Sequence, residues 1–357
     1  MHGTCASPER LNAQQRSAHI RQVVLARGEE LRQRYPILRH QDALGAGILA
    51  FALVGMIGSA LLYINGDLAG WACLLLNAFF ASLTHELEHD LIHSMYFRKQ
   101  RVPHNLMMGL VWLARPSTIN PWIRRHLHLT HHKVSGSEAD LEERAITNGE
   151  PWGLARLLMV GDNVMSAFIR LLRAKTWAHK RSILKRTLKV YFPLALLHWG
   201  AWYVFLGFHG ANAVAYLLGT SIDWSPTTLA VMHVIDIAAV VIIGPNVLRT
   251  FCLHFISSNM HYYGDIEPGN VIQQTQVLNP WWLWPLQAFS YNFGSSHGVH
   301  HFVVKEPFYI RQMTVPVAHK VMREMGVRFN DFGTFGRANR FVREEGVVRE
   351  EGDVVRV

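Results

Sequence analysis

Cysteine is scarce in this sequence. Cys5, Cys73 and Cys252 are the only three in 357 residues, too few and too far apart for a disulfide framework or a cysteine-rich zinc site. Charge is scarce as well. Charged residues make up 17% of the chain against 50% hydrophobic, a balance that excludes a disordered or low-complexity protein. The charge that is present is not scattered. All 35 Lys and Arg fall in three blocks: seven from Arg10 to Arg39, 17 from Arg98 to Lys189 and 11 from Arg249 to Arg356. The two gaps between these blocks, free of Lys and Arg, hold the most apolar stretches of the chain. A soluble domain with surface charge all round would not leave such gaps, whereas two membrane hairpins would.

A helical span needs about 20 apolar residues. In the first gap, residues 43–64 supply one span. Asn65-Gly66-Asp67 is a turn signal, and residues 68–84 supply a shorter second span that runs on into a polar helix. In the second gap, residues 191–208 and 227–248 supply two more, joined by a loop over residues 209–226 that carries no Lys or Arg. Basic loops stay on the cytoplasmic side. The expectation is an all-α integral membrane protein of the inner (cytoplasmic) membrane with four spans in two hairpins and both termini inside. Its parts are then a cytosolic segment 1–42, a membrane domain 43–305 and a cytosolic C-terminal segment 306–357. The net charge of +9 is accounted for by this asymmetry. No nucleic-acid motif is visible, so nucleic acid is not expected as a partner. A soluble helical protein with two deeply buried hairpins is the competing reading, and insertion energetics stand against it.

Smaller features carry their own expectations. Residues 1–42 lack the apolar core of a cleavable signal peptide. Ala13–Arg34 mixes aliphatic residues with arginines, as either a helix on the membrane surface or one packed on the protein. Leu106–Leu113 is too short to span and is expected at the interface or in the core. Trp281, Trp282 and Trp284 read as an interfacial anchor. The repeated Val-Arg-Glu-Glu-Gly at 342–346 and 348–352 reads as a solvated, disordered end. Asp236 sits mid-span, where an ionisable group asks for a partner; His233 and His198 are the expected ones.

Histidine is abundant, with 21 in the chain, and its placement is ordered. His85-Glu86-Leu87-Glu88-His89 is followed one turn later by His93. His128-Leu129-Thr130-His131-His132 and His297-Gly298-Val299-His300-His301 are two HxxHH clusters. On a helix, positions i, i+3 and i+4 share a face, so each cluster aims two or three imidazoles at one point. The charge-derived topology puts all three clusters, and Asn259-Met260-His261 after the last span, on the same side. Neutral imidazole suits iron, zinc, copper and nickel. So many clustered imidazoles exceed the needs of one ion and imply two.

At these residues the chain resembles the membrane fatty acid desaturase and alkane hydroxylase superfamily, which carries three histidine boxes in this order after successive membrane hairpins. The resemblance covers roughly residues 45–305. It implies a four-helix stalk under a cytosolic helical cap that holds a non-haem di-iron centre. Carried over position by position, the ligands are His85, His89, His128, His131, His132, His297, His300 and His301, with His261 matching the additional histidine before the last box. His93 is the alternative to His89. Glu86, Glu88, Asp90 and Asp140 are the nearest residues that could orient the imidazoles. His126 points away from the box face, and His254 is a weak candidate.

The activity that the resemblance implies uses dioxygen to remove hydrogen from an unactivated C–H bond of a fatty acid or acyl chain. The product is an alkene, an alcohol or, by loss of the carboxylate, a terminal alkene, as in the desaturase-like fatty acid decarboxylases. A free carboxylate would call for a cation near the metals, and Arg124, Arg125 or Lys133 could serve. The chain carries no fused haem or iron–sulfur motif, so electrons are expected from a separate ferredoxin- or rubredoxin-like donor with its reductase. Two rivals remain. His85-Glu86-xx-His89 is also the HExxH zinc-protease pattern, and a membrane metal or haem carrier would use histidines too. The first leaves both HxxHH clusters idle; the second needs ligands along a path across the bilayer.

Overall fold

In a computed structural model describing residues 11–342, the chain is built from helices and turns, with no strand among the described residues. The tail repeats fall outside them from residue 343 on. The helices are α1 Ala13–Arg34, α2 Gln41–Ile64, α3 Gly70–Ile92, α4 Arg101–Ala114, α5 Pro121–Val134, α6 Leu141–Ala145, α7 Leu154–Gly161 and α8 Asn163–Arg173. They continue as α9 Trp177–Tyr191, α10 Leu194–Leu217, α11 Pro226–Ala238, α12 Gly244–Met260, α13 Val271–Gln274, α14 Trp284–Ala288, α15 Phe293–His300 and α16 Phe308–Glu324.

The two apolar hairpins of the sequence are α2–α3 and α10–α11. By length and composition, α2 and the continuous run Pro226–Met260 can each cross a membrane, and the pair α9–α10, bent by 101°, makes a third candidate. The expected second span is the apolar half of α3, whose other half carries His85, Glu86, Glu88, His89 and Asp90, all buried. That polar half leaves α3 too polar over a membrane's width, so two or three candidate spans stand where four were expected. The fourth expected segment does not stop at Leu248 but runs to Met260. A π-turn over Ala239–Ile243 interrupts it just before Pro245. Proline has no N–H and its ring pushes away the preceding turn, so the widened turn absorbs the missing bond.

Packing follows composition. Leu49, Ala52, Leu83, Leu87, Leu91, Met107, Met108 and Val111 bring α2, α3 and α4 together in one core. The Leu106–Leu113 stretch thus contributes Met107, Met108 and Val111 to the core while Leu106 and Leu113 face outward. The arginine-rich α1 is a packed helix: Ile20, Val24 and Leu31 are buried, Ile20 and Val24 in a core with Val299, Ala318 and Met322. Arg32 binds Glu306 at 2.6 Å and ties α1 to the chain just before α16. Asn12 caps α1 with a reciprocal box to Gln15. Trp281, Trp282 and Trp284 are exposed together, as an interfacial anchor requires. Asp236 pairs neither with His233 nor with His198, but with His209 on α10 at 2.7 Å.

Candidate metal centre

Three helices deliver the histidines. Asn120 caps α5 and Pro121 opens it, a preorganised start; His128, His131 and His132 then occupy one face of its last turns. The polar end of α3 presents His89, and His93 follows as its C-cap residue. The helix α15 presents His297 and His300, with His301 at its end. It is seated very closely: a β-carbon at Gly294 would collide with the carbonyl of Leu278. His261 closes α12 and contributes from a fourth direction.

The rings gather in two groups whose candidate donor atoms lie within 4.8 Å of one another: His89, His93, His128 and His300 in one, His131, His261, His297 and His301 in the other. His132 joins the first by contact, its Nε2 being 3.2 Å from Nε2 of His128 and 3.0 Å from Nε2 of His300. His93 Nε2 lies 3.0 Å from His128 Nε2, and His301 Nε2 lies 3.3 Å from His297 Nε2.

These separations are informative. Ligand nitrogens at about 2.1 Å from a metal stand about 3.0–3.4 Å apart in octahedral or tetrahedral arrangement. Lone pairs brought this close repel unless a cation or a proton lies between them. Buried Nε2 atoms of His89, His131 and His261 have no hydrogen-bond partner at all, a costly state for a polar atom. The residues present fit a pair of metal ions.

The outer nitrogens are held. His128 Nδ1 meets Glu142 at 2.8 Å, His131 Nδ1 meets Asp140 at 2.7 Å, and His301 Nδ1 meets Gln274 Oε1 at 3.1 Å. His261 Nδ1 lies 3.0 Å from both the Ser257 carbonyl and Glu143. An acceptor at Nδ1 keeps the proton there and turns the lone pair of Nε2 inward. His300 is the exception, since its Nδ1 faces the Arg311 guanidinium at 3.1 Å. In a neutral ring that contact and a lone pair at Nε2 exclude each other. Arg311 is itself clamped by Asp90 at 3.1 Å and Glu86 at 3.3 Å.

Burial holds His128, His132, His297, His300 and His301 far below the ordinary histidine range, so these rings are neutral. Burial acts on His131 too, but the hydrogen bond and charge of Asp140 outweigh it and hold this ring up at about 9.

The sequence expectations thus meet the structure unevenly. Of the nine expected ligands, eight lie in or against the two groups. His85 does not: it sits one helical turn before His89, with its Nε2 3.4 Å from Arg124 and its ring against Phe293. The reason is helical register, because α5 and α15 meet α3 at its end. His93 lies in the same group as His89 rather than in its place. With His85 outside that group, the two histidines of the HExxH pattern are separated. Asp140 contacts His131 directly, and Glu86 reaches His300 only through Arg311. His126 is exposed and His254 belongs to neither group. Glu142, Glu143, Gln274 and Arg311 were not expected; only Glu142 and Glu143, two and three residues after Asp140, carried a signal that nearness in sequence could have flagged.

An all-helical chain with membrane-length apolar helices and a double cage of buried imidazoles defines a class, that of membrane proteins with a histidine-built metal site. A family model described as fatty acid desaturase matches residues 67–333, three quarters of the chain and all of the histidines above. The chain belongs to the fatty acid desaturase family and is an oxidoreductase of lipid metabolism. No curated protein matches it.

Proposed function

We propose that this protein is a membrane di-iron oxidase that uses dioxygen to abstract hydrogen from an unactivated C–H bond of a fatty acid or acyl chain. The observation that carries the reading is the meeting of eight box histidines and His261 in two adjoining groups at metal-ligand spacing, within a chain of the desaturase family. One iron would be held by His89, His93, His128, His132 and His300, the other by His131, His261, His297 and His301. When bound, the metal pair supplies the activation of dioxygen and the oxidising power for C–H cleavage. The family normally works with two irons.

The chain's own residues bind, orient and shield. Asp140, Glu142, Glu143 and Gln274 fix ring orientation through Nδ1. His89, His131, His261 and His300 are nearly inaccessible to water, while His93 and His132 are half-buried; such enclosure would protect a strong oxidant from side reactions. Desaturation, hydroxylation and decarboxylation to a terminal alkene all start from the same hydrogen abstraction. They differ in which carbon is presented and where the second electron leaves. Each consumes one dioxygen, two electrons and two protons, so a separate ferredoxin- or rubredoxin-like donor and its reductase belong to the reading. The basic blocks favour a cytoplasmic metal site and cytoplasmic termini.

Metal analysis and product analysis test this together. Purified protein should hold about two iron atoms per chain, and a single zinc would overturn the reading. Cells expressing the chain and fed a saturated medium-chain acid should form a product absent from a His131→Ala control. A volatile alkene one carbon shorter means decarboxylation; an unsaturated or hydroxylated product of unchanged length means the other outcomes.

A further inference from the structure

Beside the histidines lies a second buried cluster, made of cations. Arg115, Arg249 and Arg124 gather where α3, α4, α5 and α12 converge. Arg115 and Arg249 are 0% and 1% exposed. Glu88, one residue before His89, pairs with both Arg115 and Arg124, the latter at 3.0 Å. Glu142 pairs with Arg124 at 3.2 Å. These two carboxylates are thereby used up, and Glu142 also holds His128. Arg249 receives neither. No Asp or Glu among the described residues forms an ion pair with it. Its Nη2 donates to hydroxyls only, Thr250 at 3.1 Å and Ser117 at 3.4 Å, while its Nε and Nη1 have no partner. Around it, both ring nitrogens of His198 and Nδ1 of His254 and His85 are also unpartnered.

A guanidinium buried without a counter-ion is expensive. At the inner end of a candidate membrane-spanning helix it is a functional feature by default. Its Nε–H and both N–H bonds of Nη1 stay free, donors that suit an anionic oxygen such as that of a carboxylate. An apolar groove of ≈ 330 Å³ lies nearby, lined by Val164, Phe168, Leu171, Leu184, Leu196 and Trp199. Trp199 joins the two features, because its indole N–H donates to the carbonyl of Ser117, the residue whose hydroxyl accepts from Arg249.

We infer that Arg249, backed by Arg115 and Arg124, is the seat of the substrate carboxylate, and that the groove beyond Trp199 takes the acyl tail. The substrate is then a free fatty acid, and its carboxyl end rather than its methyl end lies beside the histidine groups. This deepens the proposed function and rests on it for the identity of the substrate. The cation nearest to expectation, Arg124, is spent on Glu88 and Glu142, and the free cation is one that nearness to the boxes does not pick out.

The test is binding to the full-length protein in detergent micelles, read by equilibrium dialysis with dodecanoate, methyl dodecanoate and dodecanol. The wild-type protein should bind dodecanoate at least about tenfold tighter than either neutral analogue. Arg249→Gln should lose that preference while binding dodecanol as before, and Arg249→Lys should keep part of it. Equal wild-type affinity for the acid and the alcohol overturns the inference and requires no variant to fold. An unchanged preference in Arg249→Gln overturns it as well. Iron content is measured in parallel. A carboxylate preference in a protein without iron would leave the pocket standing and remove the di-iron reading, and the converse pair of results would do the reverse.

Discussion

The two histidine groups draw on the same residue type and share two of their three helices, yet they are backed differently. In the second group, His131, His261 and His301 each have an acceptor at Nδ1, supplied by Asp140, by Glu143 with the Ser257 carbonyl, and by Gln274. In the first, His128 alone has a carboxylate hydrogen-bonded behind it; His300 faces a guanidinium, and His89 has no hydrogen bond at either nitrogen, Asp90 lying 3.8 Å from its Nδ1. The second group has three of its ring orientations fixed through Nδ1, whereas the first has one. The first group also lies on the side of the Arg115–Arg124–Arg249 cluster, reached through Glu142 and Glu88. An ion in the second group should therefore be held more tightly than one in the first.

The largest effects should come from the cages themselves. His131→Ala and His300→Ala should each abolish turnover while leaving membrane insertion intact, checked by product yield and membrane fractionation. They should differ in metal: the first should empty the preorganised group and the second only the looser one, so retained activity in either variant removes that residue from the set. Next in size is the backing. Asp140→Asn should lower affinity for one of the two irons by about 10–100-fold, read by competition with a chelator, while an equal loss from both would mean that the groups are not separately held. Smaller still is a kinetic asymmetry in the unmodified protein. Under a fixed excess of chelator, iron should leave in two phases of comparable amplitude. A single phase would erase the distinction between the groups.

The part of this arrangement that was legible in the sequence is the part carried by period and spacing. The HxxHH clusters at 128–132 and 297–301 announced themselves because i, i+3 and i+4 define a helical face whatever the tertiary setting. The gaps in Lys and Arg marked the apolar hairpins for the same local reason. What could not be read depends on where one helix meets another. The paired carboxylates of α3 point to Arg311, 221 residues away from Asp90 in the chain, and no local pattern links them. Gln274, buried against His301, and Arg249, buried without a carboxylate, are ordinary residues in sequence that become singular through packing. The last apolar segment was bounded at Leu248 because Arg249 opens the third basic block, whereas the helix runs on to Met260.

The first box offers the finest test, because two HxxxH pairs overlap in it and share His89. Register alone chooses between them. His85 faces Arg124 and Phe293, whereas His93 Nε2 lies 3.0 Å from that of His128. His85→Ala should therefore leave iron content at the wild-type value, and His93→Ala should reduce it, though less than His131→Ala does, because the first group keeps four other imidazoles. If instead His85→Ala loses iron and His93→Ala does not, α3 must engage the centre one turn earlier. The looser iron would then sit at a ring 3.4 Å from Arg124, nearer the cation cluster than the His89–His93 arrangement places it. The smallest predicted change in the series thus bears on the largest claim, that the substrate's carboxyl end and the looser iron share one side of the molecule.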